Sequence, residues 1–391
     1  MADNKGKDKL AGLAIDVSET FHKKWMSKKF EPGLVSVIIP TYNQANYICE
    51  TLDSVFRQTY RPIEVVIVDD GSTDNTKEVI KQWYENQIKD EQFHLCYFFQ
   101  CNHGAPVARN LGLIESHGEF IQFLDSDDLL MPSKVKAQYN ILSSRRTNKL
   151  AAYGNWCFFS RCENVIKIYK PRPPLKEDYP LKEWLSENNF IPLHSYLWQR
   201  EDIYNLGPWD EGLSADQDGE YSMRFFLRGG KIVFCLSSLA YYSFNCSPNS
   251  SIGASVSWQA FKSRYEVIFR IENELTVKDQ LDEYREALSN RYAHLAKRCA
   301  LYFKDITNQC LKDSKRLSPN GRLPDIFTFP LLSKIIGLTY KQRLGHFIRN
   351  TFSIPYHDPF PNLDFEVIAT VRAIEEIFRI ENPEVSNDDT L

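Results

Sequence analysis

The sequence predicts an α/β fold: a mainly parallel sheet flanked by helices, followed by a C-terminal helical region. Three observations predict it. Short apolar, β-branched runs alternate with helical segments from Leu34 to about residue 145. Two of those runs finish in acid clusters, Asp69-Asp70 and Asp125-Ser126-Asp127-Asp128. From Trp258 to Cys310 the apolar spacing becomes strongly helical.

Each element has its own local reason. Residues 1–33 are Lys-rich, end in the turn signal Glu31-Pro32-Gly33, and read as an arm outside the main fold. Val35-Ser36-Val37-Ile38-Ile39 is a buried strand stopped by Pro40. Within 46–57, Ile48, Leu52, Val55 and Phe56 fall at helical spacing. A second strand, Ile63 to Val68, is closed by Asp69-Asp70-Gly71. Asp74 stands at the N-cap position of a helix over Thr76–Tyr84. A strand over 93–99, a helix from Pro106 to Glu115, a strand from Phe120 to Leu124 and a helix over 133–143 complete this half. Right-handed crossovers then place helices on both faces of the sheet. A proline-rich turn at Pro171–Pro174 leads into a mixed region that runs to about residue 255. The expected organisation is an arm (1–33), a main domain (34–255, in halves 34–145 and 146–255) and a helical region (256–391).

Composition narrows the function. Of 391 residues, 47 are Lys or Arg and 51 Asp or Glu, a net charge of −4 that removes the cationic field of a non-specific nucleic-acid binder. No apolar run is long enough to span a membrane. The first residues lack the apolar core of a signal peptide, and nine cysteines without regular spacing suggest reduced thiols and a cytoplasmic location. Cys157 and Cys162 have no second pair at ligand spacing, so no zinc site is expected.

The acids carry the chemistry. Ligands of open α/β sheets bind beyond the C-terminal strand ends, where both acid clusters fall. In an extended chain Asp125 and Asp127 project together. Like charges that close need a cation between them, and Mg²⁺ or Mn²⁺ suits carboxylate and phosphate oxygen together. Singly, Asp70, Asp74, Asp127 and Asp128 each read more as a helix cap than as a ligand; together at one edge they read as a ligand site. There is no G-x-G-x-x-G and no G-x-x-x-x-G-K-[ST], so a bound diphosphate needs a metal and cations such as Arg109, a lone arginine that otherwise reads as surface charge.

The run VSVIIPTYNQANYICETLDSVFRQTYRPIEVVIVDDGSTDNT, followed by GAPVARNLGLIESHGEFIQFLDSDDLL, resembles the nucleotide-sugar-binding half of family-2 glycosyltransferases of the GT-A fold. Pro40-Thr41-Tyr42-Asn43, Asp69-Asp70-Gly71-Ser72, Ala108-Arg109-Asn110 and Asp125-x-Asp127-Asp128 carry the match over about residues 34–145. Residues 193–230 resemble the acceptor-side half. The resemblance implies that Pro40, Thr41, Tyr42, Asn43 and one of Asp69 and Asp70 surround a base, uracil by preference, with Arg109 near the base or diphosphate. It implies that Asp125, Ser126 and Asp127 form the D-x-D segment that binds the ribose and, through Asp125 and Asp127, the metal.

It implies further that Asp218 is the catalytic base, with Asp216 as second candidate, and that His194, Trp209, Asp210 and Gln217 meet the acceptor. Tyr196, Trp198, Trp209 and Tyr221 either stack on sugar or fill the core. His194 is either an acceptor contact or a satisfied core histidine. Gln217 stands where the family usually has Glu, and Tyr241 to Cys246 lack the His of many relatives. The Gln-x-x-Arg-Trp motif and membrane helices of processive synthases are missing, which implies single-sugar addition.

A carboxylate that takes the acceptor proton and a metal that stabilises the leaving diphosphate imply direct displacement with inversion. Asp218 opens a predicted helix, whose dipole favours its ionised form; its structural role would be to stabilise that helix. The competing classes are a nucleotide-sugar-binding protein that has lost turnover and, disfavoured by the position of the D-x-D after the fourth strand, a phosphotransferase with an aspartyl nucleophile. Residues 326–352 hold Lys334, Lys341, Arg343 and Arg349 and no acid. They suit either peripheral contact with the inner face of a membrane or packed helices with basic side chains turned to solvent. Residues 258–312 read as a supporting or oligomerising bundle.

Overall fold

The computed structural model describes residues 25–319 and 365–369, apart from 88, 146, 163–164, 170–179, 187–190 and 245–255. Strands β1 (Glu31–Thr41), β2 (Ile63–Asp69), β3 (Phe93–Phe99) and β4 (Gly118–Phe123) lie in the order β3-β2-β1-β4, all parallel. Helices α1 (Ile48–Phe56), α2 (Thr76–Asn86) and α3 (Ala105–Glu115) connect them. Every residue of β2 is buried, the pattern of a parallel strand covered on both faces. On α3, Gly112 lets the helix lie close to β1, since a Cβ there would come within 2.4 Å of the Ile38 side chain.

Two local expectations change. Glu31-Pro32-Gly33 belongs to β1 rather than to a turn before it, with a register shift between Glu31 and Val35. Nor does Pro40 end the strand, which pairs onward through Pro40↔Val68 and Thr41↔Asp69. Ile38 O accepts from Leu124 N on one side and Thr41 O from Asp70 N on the other. Pro40, in phase with Ile38, therefore turns its nitrogen toward the side where β4 has ended, and no ladder bond is lost.

Beyond β4 the sheet is mixed, not parallel. β8 (Tyr196–Gln199) runs antiparallel to both β4 and β6 (Leu150–Cys162). β6 lies parallel to β9 (Lys231–Phe244) and antiparallel to β7 (Val165–Tyr169), which pairs with β10 (Phe365–Ala369). The two-residue β5 (Leu129–Leu130) joins β9. A strand as short as β8 carries no periodicity that reports its direction.

The remaining helices are α4 (Lys134–Arg145), α5 (Pro180–Ser186), α6 (Arg200–Leu206), α7 (Gln217–Leu227), α8 (Trp258–Val277), α9 (Leu281–Cys299) and α10 (Lys304–Leu317). Ser257 caps α8 by accepting from Ala260 N. One hydrophobic core runs from Ile38, Val66 and Phe123 through Trp198 and Tyr221 to Phe261, Ile268 and Tyr292, so the helical region shares the core of the sheet. Among the described residues no helix is long and apolar enough to cross a membrane. The basic segment 326–352 and Asn245 lie outside the described residues.

Candidate active site

The C-terminal edge of the parallel strands is built differently at β2 and at β4. After β2, Asp69 Oδ1 accepts from Ser72 N (2.7 Å) and Oδ2 from the Tyr97 hydroxyl (2.6 Å). Asp70 Oδ1 accepts from Gln100 Nε2 (2.6 Å) and His103 N (2.9 Å), and Oδ2 from Gly104 N (2.8 Å), the residue before α3. Asn43, in left-handed conformation (φ 53°), accepts from Thr73 N (2.8 Å) and braces the same loop. Asp74 accepts from Thr76 N (3.0 Å), the first residue of α2, and from Ala45 N (3.2 Å), but the N-cap position expected for it falls to Asn75. These hydrogen bonds hold the Asp74 carboxyl below its ordinary range against the opposing effect of burial. Beside them Tyr42 is 46% exposed, and Thr41 Oγ1 is buried without a hydrogen-bond partner.

After β4, Asp128 N donates to Asp125 O (3.1 Å), so Asp125 to Asp128 form a tight turn. The alternation expected of an extended chain does not apply there. Asp128 caps no helix: it is buried, accepts from Ser243 N (2.6 Å) and lies 2.7 Å from His194 Nδ1. His194 is also buried, stacked on Tyr242 with ring centres 5.5 Å apart. Burial pushes its imidazole down to about 4, with Lys134 adding to the fall and Asp125, Asp218 and Asp127 opposing it. Its carbonyl accepts from Gln122 Nε2 (3.0 Å), which neighbours the buried amine of Lys134. That amine also donates to Tyr196 O (2.9 Å), and burial holds its pKa well below the ordinary range.

Arg109 joins the two sides of the cleft. It sits on α3, 4% exposed, over the ring of Trp209 (4.8 Å). Its Nη2 lies 2.8 Å from Asp125 Oδ1 and its Nη1 3.3 Å from Asp218 Oδ1 and 3.4 Å from Gln217 Oε1. Burial opposes the charge, but Asp125 and Asp218 outweigh it and raise the guanidinium pKa. The side chains of Asp125 and Asp218 are 33% and 42% exposed, so both remain open to a ligand.

Asp218 lies in the first turn of α7, after Asp216 in left-handed conformation (φ 60°). The enclosing protein raises its pKa; Arg109 and His194 counteract, while Asp125 and Asp216 add to the rise. Gln217 also donates to Leu213 O (2.9 Å), bracing the turn before the helix.

Two expected acceptor residues have partners within the protein. Trp209, 2% exposed, stacks on Tyr221 (4.0 Å, 5°) beneath Arg109 and shows no free ring face. Asp210 pairs with Arg270 of α8 and accepts from Gly212 N (2.8 Å). Tyr196, Trp198 and Tyr221 are core residues. Asn110, quoted in the sequence motif without a role, clamps the loop before α7. It accepts from Trp209 N (2.8 Å) and donates to Trp209 O (3.1 Å) and Glu211 (2.8 Å). No sequence signal beyond its place after Arg109 points to this.

Known proteins share this architecture. The model of Glycosyl transferase family 2 matches residues 36–201. An uncharacterised glycosyltransferase of Rickettsia typhi is 30% identical over 287 residues, covering 72% of this chain and 78% of its own. The glycosyltransferase GlyG of Streptococcus pneumoniae is 25% identical over 218 residues, 54% of this chain and 70% of that one. Among solved structures, residues 1–349 of S. aureus TarS in complex with UDP-GlcNAc superpose with a TM-score of 0.55 at 19% identity, covering 81% of this chain and 92% of those 349 residues as solved. The alternating parallel half, the mixed second half and these relatives agree: the chain is a glycosyltransferase of family 2 with the GT-A fold.

Proposed function

We propose that the chain transfers a hexosyl or N-acetylhexosaminyl unit, with inversion, from a UDP-sugar to a hydroxyl of a saccharide or lipid-linked saccharide. The observation that carries this reading is Arg109, one buried guanidinium in contact with both Asp125 and Asp218. It sets a D-x-D aspartate and a helix-start aspartate on opposite sides of one cation, as donor and acceptor chemistry require. The TarS structures solved with UDP-GlcNAc and with UDP support the choice of donor.

On this reading residues 34–145 bind the nucleotide and 146–255 the acceptor. Thr41 and Tyr42 frame the base at the end of β1, over a loop shaped by Pro40, Asn43, Asp69 and Asp70. Asp125, Ser126 and Asp127 face the ribose and diphosphate. A hard divalent ion, Mn²⁺ or Mg²⁺, fits the carboxylate oxygens of Asp125 and Asp127 and, when bound, neutralises charge on the diphosphate. Among the described residues no three His, Cys, Asp or Glu side chains group as a metal cage. Asp218 takes the proton of the acceptor hydroxyl, its raised pKa making it a stronger base than an ordinary carboxylate. His194 offers Nε2, buried without a hydrogen-bond partner, as an acceptor for a sugar hydroxyl. The thiols of Cys49 and Cys101, not joined in disulfides, suit a reducing, cytoplasmic compartment.

Purified protein with Mn²⁺ should bind UDP and slowly hydrolyse one UDP-sugar of a panel. Chelation should abolish turnover, and added Mn²⁺ or Mg²⁺ should restore it. Absence of both UDP binding and hydrolysis would overturn the proposal.

A further inference from the structure

Three side chains without exposed surface, Gln122 of β4 and Lys134 and Gln138 of α4, grip one turn behind the cleft. Gln122 Nε2 donates to His194 O (3.0 Å), Gln138 Nε2 to Ser195 O (2.7 Å) and Lys134 Nζ to Tyr196 O (2.9 Å). Three successive carbonyl oxygens thus each receive a side-chain donor. Lys134 Nζ also donates to Gln122 Oε1, which ties two members of the cradle to each other. The gripped residues span the short 3₁₀ turn Leu193–Ser195 and the first residue of β8.

From this turn the acid segment is two contacts away. His194 sets Nδ1 2.7 Å from Asp128 Oδ2, and Asp128 N donates to Asp125 O (3.1 Å) to close the turn Asp125–Asp128. The other Asp128 oxygen accepts from Ser243 N (2.6 Å). Asp128 is therefore held between the 3₁₀ turn and β9, and the backbone of the acid turn is anchored by it. Lys134 is the member that core packing does not call for. Its amine is buried against the uncharged oxygens of Gln122 and Tyr196, an arrangement that disfavours its charge and that an apolar chain of similar length would avoid. Local rules are broken in this way where a site needs fixed geometry, and binding groups are fixed by neighbours that are themselves locked by packing and hydrogen bonds.

We infer that Lys134, with Gln122 and Gln138, is a positioning residue for donor binding: acting through His194 and Asp128, it holds the Asp125–Asp127 segment in the geometry that takes the metal and the diphosphate. This rests on the proposed reading of that segment as the D-x-D and adds the device that holds it.

The test titrates UDP calorimetrically into the full chain with and without Mn²⁺ and reads the ratio of the two affinities. Contacts to the base enter both titrations and cancel in that ratio. Lys134→Met should shrink the Mn²⁺-dependent gain about tenfold, and Gln138→Leu, which frees a single carbonyl, about threefold. General loosening of the fold would weaken both titrations alike and leave the ratio unchanged. In a His194→Phe background the link to Asp128 is already cut, so Lys134→Met should add less than about twofold. An unchanged gain in Lys134→Met and Gln138→Leu, or a full further loss from Lys134→Met in the His194→Phe background, would overturn the inference. Should Lys134→Met not fold, an unchanged gain in Gln138→Leu alone overturns it. Absence of any Mn²⁺-dependent gain in the wild type would instead count against the D-x-D reading on which the inference rests.

Discussion

The two acid-bearing ends of the parallel strands look alike in sequence and differ in use. At β2, the oxygens of Asp69 and Asp70 are taken up by hydrogen-bond donors of their own loop, of β3 and of the segment between β3 and α3, and both carboxylates are buried. At β4, Asp125 meets a cation and keeps a third of its side chain exposed, with Asp218 across the same guanidinium. A carboxylate saturated by N–H donors shapes a loop; one balanced by a cation and still solvated is available to a substrate. The β2 acids accordingly act through geometry, most directly through Asp70, whose bond to Gly104 N sets the start of the helix that carries Arg109.

That contrast can be broken or sharpened by experiment. The largest expected effect is at Asp218: Asp218→Asn should lower transfer by about 10²–10⁴-fold with UDP affinity unchanged, measured by turnover and calorimetry. Retained transfer would remove the base. Asp70→Ala should act on stability, by about 3 kcal/mol, because buried donors lose their acceptor. A normal thermal unfolding midpoint combined with lost UDP binding would erase the distinction between the two edges. Arg109→Met removes the cation that favours the Asp218 anion, so the acid limb of the pH–rate profile should move to higher pH. An unmoved limb would uncouple the pair.

The smallest effect is at His194. Its folded-state pKa, about 4, lies below the ordinary 6.5, so the unfolded chain binds more protons between those values. Stability should therefore fall as pH drops through that window. Denaturant titrations of His194→Gln should show a flatter dependence.

Much of the donor half was legible because its strands are continuous β-branched runs and its helices repeat at 3.6 residues. The acid turn after β4 was legible as a cluster, but its shape was not. Only the Asp128 N to Asp125 O bond replaces the assumed extended geometry. The link between Asp128 and His194 spans 66 residues of sequence and depends on β8 lying beside β4, which no periodicity reports. Trp209 read either as a sugar-stacking ring or as a core residue; its packing on Tyr221 beneath Arg109 was beyond what the sequence could report. The contact between Arg291 and Asp216 was invisible for the same reason, its partners lying far apart along the chain.

On the proposed reading a single side chain, Arg109, answers to both reaction partners, and the preference for donor and the tolerance of acceptor then form one heritable trait. Attempts to re-engineer either by single replacements should show strong epistasis, and paired libraries at positions 109, 125 and 218 are the efficient route to new specificities.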